Sequence, residues 1–242
     1  MTDLIENDHY LKIKKLFDGK KFDEIITYCQ KLLEKNTDDK LALQNIATAY
    51  NMVGAYQDAI LCSEKVLGMD SNDEFALKNK IFASEKLEMH DQVLICCNKI
   101  LKNNCDNIDV LIAKGIAFNK TEKHKDAISA YKKVLTTDKN NLDALMNLAI
   151  TYNHLQMYND AITYYDMIQE ITPKFSNVPI EKSKAFEALG KNDDAFLAAQ
   201  GIRLDEAENI KNDAKIKKYS VQHAFELKRF HASSKVKHDD RN

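Results

Sequence analysis

The sequence predicts an all-α solenoid: six helical hairpins, each packed on the next. Three observations predict it. One pattern recurs every 34 residues, without insertion or deletion, from Glu6 to Asn209. Each copy carries two apolar stripes at helical spacing, and turn residues fall between the stripes. A strict period of this length means that no unit buries its apolar face alone, so each must stack on its neighbours.

The units are 6–39, 40–73, 74–107, 108–141, 142–175 and 176–209. Number each from 1. Positions 4, 7, 8 and 11 lie at i, i+3, i+4 and i+7 and predict a first helix, as in Leu145, Leu148, Ala149 and Tyr152. The first turn carries Gly19, Gly54 or Gly190, which suits a helix C-cap. Positions 20, 24, 27 and 28 predict the second helix, as in Ala127, Tyr131, Val134 and Leu135. Position 27 is apolar throughout: Leu32, Val66, Ile100, Val134, Ile168, Ile202. Cap and turn residues such as Asp70-Ser71-Asn72-Asp73 then close the unit. Position 8 is small in Ala47, Gly115, Ala149 and Ser183, and a ring follows at position 11 (Tyr50, Phe118, Tyr152, Phe186). The third unit reverses the pair with Ile81 and Ser84, which conserves volume. Ile13 at position 8 and Pro179 at position 4 make the end units less regular.

A solenoid must also hide its exposed end. Residues 210–230 fit one helix with two apolar stripes. Ile210, Ala214, Val221, Ala224 and Phe225 form the first, expected to cap the sixth unit. Ile216, Tyr219, Leu227 and Phe230 form the second, nearly opposite, which predicts weak self-association as a homodimer. Residues 231–242 are short and polar and are expected to be disordered.

Composition narrows the function. The net charge is −2, too balanced to point to nucleic acid as the partner. Charge is uneven along the chain, however, with a net of +5 over residues 211–242 and −7 over the remainder. No apolar run approaches the ~20 residues of a membrane span, and the polar N-terminus does not read as a secretory signal. Five cysteines form no CxxC pair, and four sit at positions 23 or 24 among Tyr and Ser equivalents. They read as reduced helix residues, so a cytoplasmic location is expected.

These small, aromatic and turn positions at a 34-residue spacing resemble the tetratricopeptide repeat (TPR) family, over about five-sixths of the chain. The resemblance implies a right-handed α-solenoid whose first helices line a concave groove that binds peptide segments. Positions 2, 5, 6, 9, 12 and 13 face that groove. They place an apolar ridge there, Phe82, Ile112, Ile116, Met146 and Ile150. Asparagines flank it: Asn45, Asn79 and Asn147 at position 6, and Asn51, Asn119 and Asn153 at position 12. An amide both donates and accepts, so such rows can hold a peptide backbone. The family's two-carboxylate clamp for chaperone tails needs a cationic set that no window supplies: the third unit has Lys78 but then Phe82, Ala113, Asp143 and Asn147.

No catalytic constellation stands out, and no cofactor or metal is expected. His90 and His124 share position 17, but stacked units lie about 10 Å apart, too far for two ligands of one ion. Cys96 and Cys97 point about 100° apart on a helix, with Cys97 in the core stripe and Cys96 near its edge. The sequence therefore predicts a non-enzymatic scaffold that binds a segment of a partner protein. Two alternatives stand beside it: an assembly protein that associates through its C-terminal helix, and a regulatory subunit that completes an enzyme on its partner.

Overall fold

The computed structural model describes residues 2–173 and 177–203, with side chains from His9 onward. Those residues form helices and turns and no strand. The order is α1 (Thr2–Asp18), α2 (Phe22–Leu33), α3 (Lys40–Val53), α4 (Tyr56–Met69), α5 (Glu74–Lys86) and α6 (His90–Asn103). It continues with α7 (Ile108–Lys120), α8 (His124–Thr137), α9 (Leu142–His154), α10 (Tyr158–Ile171), α11 (Val178–Ala188) and α12 (Asn192–Ala199). Two compact units part between Lys139 and Asn140, the first holding α1–α8 and the second α9–α12. Within each, every helix packs on the next in chain order, and in the first unit α3 also packs on α5.

The turns follow the repeat register. Position 34 caps the first helix of the next unit four times: the side chains of Asp39, Asp73, Asn107 and Asn141 accept from the amides of Ala42, Ala76, Val110 and Ala144. The second helices start without a side-chain cap. Each has an acid in its first turn instead, which complements the helix dipole. Between the two helices, position 15 is left-handed in all six units: Lys20, Gly54, Glu88, Glu122, Gln156 and Gly190. The following amide bonds back to the carbonyl of position 11 each time, at 2.8–2.9 Å. Gly54 and Gly190 thus act as the expected C-caps, whereas in the first unit Lys20 takes that role and Gly19 does not.

The core fills the predicted stripes. Ile25, Ala59, Val93, Ala127, Ala161 and Ala195 at position 20 are all buried. Cys29 and Cys97 are fully buried, which pushes each thiol up to about 12. Cys96, expected near the stripe's edge, is buried too. The sixth unit departs most. α12 stops at Ala199, because Gly201 is left-handed and the Ile202 amide turns back to the Leu197 carbonyl at 3.1 Å. Ile202 therefore sits in a turn rather than on the helical stripe assigned to it. The predicted helix 210–230, its self-association residues and the tail 231–242 lie outside the described residues.

Candidate partner-binding surfaces

In the first unit, the exposed side of α5 carries the strongest apolar signal. Phe75, Lys78, Phe82 and Lys86 follow one another at helical spacings of three and four residues. Phe75 is 49% exposed and Phe82 39%. The Phe82 ring lies 6.4 Å from that of Tyr56, and the Lys86 ammonium is 5.5 Å from the Phe82 ring centre. On α3, Met52 is exposed as well. Phe75 and Met52 occupy positions 2 and 13, so the same register that picked out Phe82 could have found them. On α7, Ile112 and Ile116 are half-buried.

The asparagines are engaged inside the fold. Asn79 is buried between α3 and α5, where its side-chain oxygen accepts from Thr48 Oγ1 and Asn51 Nδ2, both at 3.2 Å. Gln44 adds a parallel tie to the Asp73 carboxylate at 3.0 Å. Asn45 donates to the Leu41 carbonyl one turn back at 2.7 Å. Asn119 donates to the Tyr131 hydroxyl at 3.4 Å and meets the His124 ring at 3.2 Å. The third unit has Glu85 at position 12, and burial pushes its carboxyl above the ordinary range, opposed by Lys86.

In the second unit, Ile150 is 37% exposed on α9, with Met146 and Asn147 half-buried. Asn147 donates to the Asp143 carbonyl at 2.8 Å, and Asn153 to the Tyr165 hydroxyl at 2.9 Å. The pairs Asn119–Tyr131 and Asn153–Tyr165 each join positions 12 and 24 of one unit and tie the two helices of a hairpin together, whereas Asn51 at position 12 reaches Asn79 of the next unit.

A second register pairing had a sequence signal that is easy to overlook. Lys80 and Lys182 stand at position 7, inside the core stripe, and each reaches an acid at position 25 of the preceding unit. Lys80 meets Glu64 at 2.7 Å and Lys182 meets Asp166 at 2.5 Å. Lys182 is fully buried, and Gln169 Oε1 at 2.8 Å takes a further ammonium hydrogen. Ile46 at position 7 is matched by the uncharged Gln30, but the pairing is not general: Lys114 is matched in register by Asn98 and Leu148 by Lys132. On the second helices, Leu61 and Ile95 at position 22 are exposed, and an open cleft of about 500 Å³ lies beside Leu61, Cys62 and Tyr50. Among the described residues no group of three or more metal-ligating side chains comes together. None of the described helices is long and apolar enough to cross a membrane.

The described helices thus define a protein built from repeated helical hairpins with an exposed aromatic face. Residues 120–178 match the family model described as tetratricopeptide repeat. Solved structures share the fold. A tetratricopeptide repeat protein from Parabacteroides merdae aligns with a TM-score of 0.71 at 16% identity, covering 80% of this chain and 77% of that one. MamA aligns at 0.63 and 19% identity, covering 67% and 88%. YrrB, described as a TPR protein with an unusual peptide-binding site, aligns at 0.60 and 19% identity, covering 82% and 97%. A search of curated protein sequences finds no match. The match thus covers residues 120–178, and the described helices share the fold of these tetratricopeptide repeat structures.

Proposed function

We propose that this chain is a non-enzymatic scaffold that binds a segment of a partner protein on the face formed by its first helices. The observation that carries this reading is the stripe on α5, where two phenylalanines stand in solvent. Large apolar side chains grouped on an exposed face are a mark of interaction sites. Phe82 anchors the contact, and the half-buried Ile112 and Ile116 on α7 are proposed to extend it. In the second unit Met146 and Ile150 offer a separate contact of the same kind. Asn79, Asn119 and Asn153 serve this surface mainly by fixing the helices that present it, while Asn45 and Asn147 bond within their own helices. The peptide-binding site named for YrrB supports the class of function, as does the family's use in protein binding. The cysteines packed in the core suit a reducing compartment, so we place the protein in the cytoplasm. Weak self-association through Ile216, Tyr219, Leu227 and Phe230 is a second, separable proposal that rests on the opposed stripes of residues 210–230.

The test is photo-crosslinking in cells with benzoylphenylalanine at Phe82 or, as a control, at Leu61. A discrete adduct from position 82 alone supports the reading. An adduct from position 61 alone moves the site to the second helices.

A further inference from the structure

In the first unit, α3 and α5 turn into the fold the donors that could hold an extended backbone. Gln44 donates to the Asp73 carboxylate, Asn45 to the Leu41 carbonyl, Thr48 to the Gln44 carbonyl and Asn51 to the Asn79 carbonyl. Asn79 itself is buried between the two helices. A strand-like peptide leaves its own amides and carbonyls open, and they must find partners when covered. A helix pairs its own backbone and asks only for side-chain contacts.

What α5 keeps outward is one stripe along its axis. Phe75, Lys78, Phe82 and Lys86 are all exposed and fall within about 80° of arc. The two phenylalanines are separated by an axial rise of about 10.5 Å. An amphipathic helix sets apolar residues at i and i+7 with that same rise. An extended chain covers it in about three residues, and side chains three apart point to opposite faces. Charge sets the partner's sign. The Lys86 ammonium stands 5.5 Å from the Phe82 ring centre, and Lys78 meets Glu74 in an exposed pair that water and salt weaken. An apolar stripe edged by ammonium groups favours carboxylates beside the partner's apolar residues. The chain's own segment 211–242 carries a net +5, the wrong sign for this seat.

We infer that the partner segment is an acidic amphipathic α-helix lying along α5, its apolar side chains on Phe75 and Phe82 and its carboxylates against Lys78 and Lys86. The inference rests on the binding reading of the first-helix face and names the partner's chemistry.

The test is selection on the wild-type chain from a displayed library of random peptides of about 16 residues, enough for about four helical turns. Counter-selection uses Phe75→Glu/Phe82→Glu. Peptides that bind only the wild type should carry apolar residues at i, i+3 or i+4, and i+7, with a net negative charge. The most enriched sequence is then made as a fluorescein-labelled peptide. Proline placed between its anchors should weaken Kd at least about tenfold. Lys78→Gln/Lys86→Gln should weaken it about fivefold at low salt and little at about 1 M salt. Wild-type-only peptides with alternating apolar residues, or indifference to the proline, would overturn the helix and leave the first-helix face standing. Indifference to the lysine change would overturn the acidic partner. Peptides bound equally by the phenylalanine variant would remove the face and the helix together. A library that yields no binder also overturns the helix, while the cross-link at Phe82 judges the face separately.

Discussion

The Tyr131 ring occupies the space where a side chain at Gly115 would begin: a Cβ there would lie 2.4 Å from Cε1 and 2.6 Å from Cζ. Tyr131 is fully buried, so the ring has nowhere to go. In the middle of a helix, Gly→Ala ordinarily stabilises by about 1 kcal/mol. Overpacking costs about 1–3 kcal/mol, so here it should win. Gly115→Ala is expected to lower stability in urea denaturation, and Gly115→Ala/Tyr131→Leu to show positive coupling in a double-mutant cycle. A stabilising Gly115→Ala would mean that the ring yields.

Lys182 and Asp166 form a buried pair whose breakage leaves an unmatched charge. Lys182→Ala should cost about 3–5 kcal/mol, as removal of one partner of a buried pair does. Lys80→Ala should cost far less, because Glu64 is half-exposed and water can take over. Calorimetry that found equal losses for the two would show that burial does not set the difference.

The left-handed turn residues predict a gain. Glu88 and Glu122 hold φ of 57° and 59°, a region that costs an L-residue about 1–2 kcal/mol. Gly54 and Gly190 hold the same register without that cost. Glu122→Gly should therefore raise the melting temperature, by less than that cost because glycine also loses more entropy on folding. No change, or a fall, would place a compensating contact on Glu122.

Glu85 predicts a pH dependence with a definite sign. Burial raises its folded-state pKa above the unfolded value. Its favourable contribution is thus present while the carboxyl is protonated and is lost as pH rises through the folded pKa. Glu85→Gln should accordingly stabilise the protein at pH 7, and the gain should shrink as pH falls through the raised folded pKa and be gone below the unfolded value of about 4.3. A gain that stayed constant over that range would rule out the carboxyl's charge as its source.

Much of this architecture was legible in the sequence for physical reasons. The 34-residue period places every helix pair, because a unit that cannot bury its own stripe must repeat in register. Asp39, Asp73, Asn107 and Asn141 were readable as caps from their type and place. Side-chain direction was not. Asn119 looks like a groove residue by register, yet its amide turns to the Tyr131 hydroxyl because that pairing is available inside the hairpin. Lys182 reads as a break in the core stripe until Asp166, sixteen residues earlier, is matched with it. The early end of α12 was signalled only by Gly201, which a uniform repeat pattern obscures.

The central claim is that partner binding uses the first-helix face rather than the second. Two exposed apolar pairs separate these options without touching the core: Phe75 with Phe82 on α5, and Leu61 with Ile95 on α4 and α6. The most direct measurement is quantitative recovery of the captured partner by wild type, Phe75→Glu/Phe82→Glu and Leu61→Glu/Ile95→Glu, each checked for unchanged helicity. Recovery should fall at least about tenfold in the first variant, as loss of aromatic anchors does, and stay near wild type in the second. Full recovery by the phenylalanine variant, with loss in the Leu61/Ile95 variant, would contradict the account.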